Sequence, residues 1–176
     1  MVKLRAYSKS DAETIIKWIT DERMFYFWSA DRYDHYPITP NDMNCLYAGS
    51  DTDKDFYPLT AYDESGIVGH MIMRYPTQDR TKVRFGFIIV DSAKRGKGYG
   101  KRMLQEAVRL AFDRFGAEQI TLGVFQNNTP AALCYLSVGF HTPTDPETAA
   151  QYTVRIKDRD WVCCNLELNK KDILQE

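Results

Sequence analysis

The sequence predicts one α/β domain over residues 1–176, with a central mixed, mostly antiparallel sheet flanked by helices. Three observations carry this. Residues 82–115 read without a gap as strand, glycine-rich turn and amphipathic helix. Residues 119–125 follow directly, alternating Ile120, Leu122 and Val124, so these two strands, joined by a helical crossover, should run parallel. Upstream, strand patterns over 57–62 and 67–75 flank the turn Asp63-Glu64-Ser65-Gly66, a hairpin that makes the earlier part of the sheet antiparallel. A chain of 176 residues is long enough for one domain with its own core and short for two.

In chain order, residues 3–6 read as a short first strand, and Ser10 followed by Ala12, Ile15, Ile16, Trp18 and Ile19 as a helix capped by that serine. Residues 21–47 turn aromatic and irregular, with Phe25, Tyr26, Phe27, Trp28, Tyr33 and Tyr36 ahead of a short helix over 40–47. An acceptor pocket is expected here, although packing of the first helices on the sheet accounts for most of these aromatics. In the strand over 82–90, Val83, Phe85, Phe87 and Ile89 alternate as one buried face, while 87–90 form a continuous apolar run suited to a strand covered on both sides. The next helix carries Leu104, Val108, Ala111 and Phe115 on one stripe and ends at Gly116. In residues 127–140, NNTPAALCYLSVGF, Thr129 is the expected N-cap, Pro130 suits the first helical position and Gly139 closes the helix. Tyr152, Val154 and Ile156, then Trp161 and Cys163, form a last hairpin across 157–160.

Composition excludes several classes. No apolar run approaches the ~20 residues of a membrane span, and the opening MVKLRAYSKSDAE lacks a signal peptide's apolar core, so a cytoplasmic protein with no membrane partner is expected. Cys45, Cys134, Cys163 and Cys164 form no CxxC pair, and no metal site or disulfide framework is expected. No basic arm or basic–aromatic repeat points to nucleic acid. The net charge of −1 hides an asymmetry: ten acidic residues against three basic ones between Asp21 and Glu64, then seven basic against Asp91 alone between Lys82 and Arg102. The second stretch suits an anion. The first suits a cationic acceptor, or merely solvated loops.

The glycines at 96, 98 and 100 let the backbone approach a ligand and aim N–H groups at it, beside the positive end of the following helix. A Walker loop would need glycine at position 95 and a hydroxyl residue at 102, where Arg95 and Arg102 stand; a dinucleotide fingerprint would need glycine at 101, where Lys101 stands. What remains, Arg95-Gly96-Lys97-Gly98-Tyr99-Gly100 between strand and helix, resembles the pyrophosphate-binding motif of the GNAT superfamily of N-acetyltransferases, which use acetyl-CoA. Asn128, Ala131, Tyr135 and Gly139-Phe140 resemble that superfamily's second motif. Together the two motifs cover about a third of the chain.

The resemblance implies a GNAT-like fold whose parallel strand pair lies at the coenzyme A site. It implies that Arg95, Gly96, Lys97, Gly98, Tyr99, Gly100 and Lys101 hold the pyrophosphate, with Arg95 and Lys97 adding charge, and that the pantetheine arm lies along Ile88, Ile89 and Val90. It places the Ile88 backbone N–H at the thioester oxygen, as the oxyanion donor, with Asn128 and Ala131 on the coenzyme and Tyr135 beside its sulfur. A phenol of pKa ~10 is then a suitable general acid for the leaving thiolate.

The activity implied is transfer of acetyl from acetyl-CoA to a primary amine by direct attack in a ternary complex. The amine is a protein N-terminus or a small amine such as a polyamine or aminoglycoside, and the protein a monomer or homodimer. The alternative is a non-catalytic acetyl-CoA sensor. It stays open because the strand over 82–90 has Arg84 and Gly86 where some superfamily members carry a glutamate, leaving Glu22, Asp31, Asp34, His35 and His70 as remote candidates for a base.

Overall fold

In the computed structural model, which describes residues 1–173, the chain begins with strand β1 (Lys3–Ala6) and a helical segment built of a 3-10 turn (Lys9–Asp11), α1 (Ala12–Ile15) and a second 3-10 turn (Ile16–Trp18). The segment's cap is Ser8 rather than Ser10, because Asp11 turns back to accept the Ser8 N–H at 3.0 Å. Asp11 is buried yet saturated: Arg5 donates to both its oxygens, at 2.7 and 2.8 Å, and Thr60 Oγ1 donates at 2.7 Å. Burial alone would raise its pKa, but these donors outweigh burial and hold it below the usual carboxylate value.

The stretch expected to be irregular contains α2 (Glu22–Ser29), capped by Asp21, which accepts the Met24 N–H at 2.8 Å. Four consecutive aromatics hide the period, since only Phe25 and Trp28 of them are fully buried. Helix α3 (Pro40–Leu46) starts at a Thr39/Asp42 capping box. Then come β2 (Phe56–Asp63), β3 (Gly66–Arg74), β4 (Lys82–Val90), α4 (Tyr99–Asp113), β5 (Gln119–Phe125), α5 (Thr129–Leu136), α6 (Pro146–Ala149), β6 (Tyr152–Ile156), β7 (Arg159–Asn169) and α7 (Lys170–Ile173).

The seven strands form one sheet in the order β1-β2-β3-β4-β5-β7-β6, antiparallel except for the β4–β5 pair. This is the expected α/β class, with helices on both faces. One face buries Met71, Met73, Phe85, Ile120 and Leu122 against Met103, Leu104, Ala107 and Ala111 of α4; the other buries Ile72 and Ile89 against Ala12, Ile15, Phe25, Trp28 and Met43. No helix among the described residues is long and apolar enough to cross a membrane.

Strand β4 departs from the expected alternation. Its pairing with β3 slips between His70 and Ile72, so that Ile72 faces Gly86 while His70 faces Ile89, and Phe87 sits at φ 49°. One extra residue flips the side-chain parity. Val83 and Phe85 therefore share the α4 face with Ile88 and Val90, while Phe87 and Ile89 turn to the α1–α3 face. Trp28 Nε1 donates to the Phe87 carbonyl at 2.9 Å, satisfying an acceptor at the bulge.

Candidate active site

The parallel pairing of β4 with β5 covers only Lys82–Arg84 against Gln119–Thr121. Beyond it β4 continues with β3 and β5 with β7, leaving a gap between the two strands from Phe85 to Val90. At its end the chain turns on Asp91, whose side chain accepts the Ala93 N–H at 3.0 Å. Gly96 (φ 72°) and Gly98 (φ 77°) then take left-handed conformations, and Gly98 caps α4. The first turn of α4 contains no acidic residue, and the space a Cβ would take at Gly96 is open. Backbone and helix end thus fit an oxyanion such as a pyrophosphate.

Gly100 has a packing constraint of its own. It lies within the helix, where a Cβ would stand 3.1 Å from Cys134 Sγ and 3.8 Å from Val90 Cγ2, so glycine there eases the close approach of α4 to α5.

Three basic side chains near the turn donate to backbone carbonyls. Arg95 is half-buried and donates from Nε to the Val90 carbonyl at 3.1 Å and from its terminal nitrogen to the Trp18 carbonyl at 2.7 Å, with burial lowering its pKa. It is a strut between the loop and the first helical segment rather than a charge turned to the loop's outer side. Lys97 donates back to the Ala93 carbonyl at 2.9 Å. Arg102 caps the Tyr99 ring at 4.4 Å and donates to the Lys97 carbonyl, while Tyr99 donates to Asp63 at 3.2 Å. Lys101 stays exposed on the first turn of α4.

Helix α5 begins one residue earlier than expected, with Asn128 as N-cap and Thr129 as its first residue; the Asn128 carbonyl accepts the Ala132 N–H at 3.1 Å. Ala131 is half-buried. Tyr135 is 7% exposed, its ring edge-on to Phe140 at 6.4 Å. Burial, reinforced by the nearby thiols of Cys134 and Cys163, pushes the phenol well above its ordinary pKa, so it keeps its proton throughout the physiological range.

On the α1–α3 side of the gap lies a cavity of about 550 Å³, reached by Gly86 and Phe87 of β4, Gly123 of β5 and Trp28 of α2. Its charged lining is mostly basic: Arg32, Arg74 and Arg84 line it, with Asp53 the one carboxylate among the described residues of its walls. Five carboxylates of the acidic stretch are engaged elsewhere. Asp21 and Asp42 cap helices, Glu22 pairs with Lys157, Asp55 with Arg80, and Asp63 organises a turn. None of Glu22, Asp31, Asp34, His35 or His70 lines the cavity. His70 is fully buried, 2.8 Å from the Tyr47 hydroxyl, and burial lowers its pKa to about 3, which keeps it neutral. A larger hollow of about 900 Å³ lies between the start of α2 and the β6–β7 hairpin, but no residue of β4 borders it.

Sequence reasoning missed Gly123, Tyr152 and Arg74 and read Arg84 only as a missing glutamate. A Cβ at Gly123 would meet Tyr152 Oη at 2.7 Å, an Arg84 terminal nitrogen at 2.9 Å and Cys163 Sγ at 3.1 Å, so glycine there lets these side chains converge. The available signal was a glycine interrupting the alternation of residues 119–125.

Comparison with known proteins agrees with this architecture. Residues 14–140 match the model of the Acetyltransferase (GNAT) family. The chain is 32% identical over 110 residues, 61% of its length, to "Putative phosphinothricin acetyltransferase YwnH" of Bacillus subtilis, and 29% identical over 90 residues, 48% of its length, to the spermine/spermidine N(1)-acetyltransferase of the same organism. It spans 66% and 59% of the lengths of these two relatives. Spermidine N-acetyltransferase from Vibrio cholerae, solved in complex with CoA and spermine, superposes with a TM-score of 0.81 at 18% identity, with 98% of each chain covered. With the family model matching most of its length, the chain belongs to the GNAT family of acetyltransferases.

Proposed function

We propose that residues 1–176 form one acetyltransferase domain that transfers acetyl from acetyl-CoA to a primary amine by direct attack in a ternary complex. What supports this is the gap left where β4 and β5 part, with the left-handed Gly96/Gly98 turn leading into α4 beyond the end of β4, and Tyr135 of α5 buried in the same core as Ile88 and Val90. The relatives bearing names of N-acetyltransferases of amines support the reaction class.

Bound acetyl-CoA supplies an acyl group activated as a thioester. The chain supplies the rest. The turn through Gly98, with the N-terminal N–H groups of α4, Lys97 and Lys101, holds the pyrophosphate; Arg95 acts by keeping that turn in place. Ile88, Ile89 and Val90 line the pantetheine path, and Asn128 and Ala131 its opposite side. The Ile88 N–H donates to the reacting carbonyl oxygen, and Tyr135, held protonated by burial, gives its proton to the leaving sulfur. Trp28 and Phe87, packed edge to face at 5.2 Å on the cavity wall, give that side an apolar lining.

The test is thiol release from acetyl-CoA against a panel of primary amines, run beside calorimetry of coenzyme binding. Amine-dependent release is the expected result. Coenzyme binding without release by any amine would mark a sensor instead.

A further inference from the structure

We infer that the acceptor amine carries an acidic group, a carboxylate or phosphonate-like oxyanion, which seats on Arg74 and Arg84 beside Tyr152 while the amine end points to the β4–β5 gap. This rests on the acetyltransferase reading above and deepens it by naming the acceptor class.

Arg74 of β3 and Arg84 of β4 are directly paired across the strands, which puts two like charges side by side on one face of the sheet. Such a pair opposes folding unless something neutralises it. Among the described residues no carboxylate lies within salt-bridge distance of either. The third guanidinium, Arg32, has only the exposed Asp31 at 3.9 Å. Asp53, the single carboxylate lining the cavity, accepts the Asp55 backbone N–H at 2.8 Å and cannot balance three cations. The strain registers in Arg74, whose pKa is lowered by burial and then by Arg84 and Arg32.

Arg84 is also held in place. It donates to Asn165 Oδ1 at 3.4 Å and to the Tyr152 hydroxyl at 3.3 Å, and glycine at 123 leaves the space that lets it lie there. Two neighbouring guanidinium forks with a phenol at their edge are the donor set a planar or tetrahedral oxyanion needs. A polyamine, cationic along its whole length, would meet repulsion on the same surface. The cavity, about 550 Å³, admits a small amino acid or aminophosphonate.

The experiment measures amine-dependent thiol release with aminocarboxylates and aminophosphonates of differing chain length, with spermidine and with neutral amines of matched size. The best anionic amine is expected to exceed spermidine at least a hundredfold in kcat/KM. Arg74→Gln and Arg84→Gln, made separately, should each raise its KM tenfold or more, leave kcat within about threefold and leave the KM for acetyl-CoA unchanged. A better kcat/KM with spermidine or a neutral amine would overturn the inference, as would an unchanged KM in both folded variants. If no amine releases thiol at all, the transferase reading fails on its own, and calorimetry of the same anionic amines with the CoA-loaded protein still decides. Binding lost in Arg84→Gln supports the anion site, and absence of binding to the unsubstituted protein overturns it.

Discussion

Replacing Gly100 by alanine tests whether this glycine serves packing rather than ligand contact. The added Cβ would stand 3.1 Å from Cys134 Sγ, several tenths of an ångström inside an ordinary carbon–sulfur contact. Overpacking of this kind costs about 1–3 kcal/mol, while exchanging glycine for alanine in a helix returns at most about 1 kcal/mol. A net loss of up to about 2 kcal/mol is expected in urea unfolding, with weaker acetyl-CoA binding as the first turn of α4 is pushed off α5. Cys134→Ala removes the obstructing sulfur, so the double variant should be more stable than the sum of the single changes by about 1 kcal/mol and should regain coenzyme affinity. Additivity within ~0.5 kcal/mol would refute the reasoning. Gly98→Ala is the control. Its nearest non-adjacent atom would be Arg102 at 3.5 Å, so its loss of about 1–2 kcal/mol comes from φ 77° alone and should not respond to Cys134→Ala.

Three further outcomes are expected. Tyr135→Phe should lower the turnover number roughly 10²-fold while leaving stability and coenzyme affinity nearly unchanged. Because burial raises the phenol's pKa, the unsubstituted enzyme should lose no proton-donor activity between pH 7 and about 9, and an alkaline limb there that disappears in Tyr135→Phe would contradict this. Arg95→Lys keeps the charge but loses the geometry that reaches both the Val90 and Trp18 carbonyls, so it should lower Tm and coenzyme affinity almost as much as Arg95→Ala; rescue by lysine would restore the electrostatic role. Asp11→Asn should cost about 2 kcal/mol at pH 7, below the value for a fully buried pair because the Arg5 side chain is 38% exposed. Since the folded pKa of Asp11 is depressed, its contribution is complete above the unfolded value of about 4 and fades as pH falls through the folded one. The difference in urea stability between the unsubstituted protein and the Asp11→Asn variant should therefore shrink towards pH 3, and a pH-independent difference would refute the assignment.

What was legible in the sequence is what local order determines. The strand, glycine turn and helix of residues 82–115, the hairpin at Asp63–Gly66 and the short α5 all follow from spacing and caps within one window. Cooperation between distant segments was not legible. The alternation Val83, Phe85, Phe87, Ile89 is a faithful pattern, yet the slip against β3 divides it between two cores, and a slip belongs to the pair of strands. Arg95 and Gly100 stand at their motif positions, but whether an arginine faces ligand or a carbonyl of Trp18, and whether a glycine faces ligand or a sulfur, depends on elements far along the chain. The acidic excess of residues 21–64 carried no direction, because charge counted along a chain does not say where side chains point: most of those carboxylates cap helices, close turns or pair with partners, while Arg74 and Arg84 line the cavity from strands that read as core.

The bulge in β4 bears on the energetics of ligand capture. Ile89 is packed into one core and Ile88 and Val90 against the other, so straightening the strand would expose apolar side chains on both faces of the sheet at once. The irregular backbone is therefore held by burial on both faces and by the Trp28 hydrogen bond to the Phe87 carbonyl. If the gap takes the pantetheine arm as proposed, contacts internal to the protein keep the strands parted, so binding enthalpy and entropy should reflect contact and desolvation rather than reorganisation of the sheet.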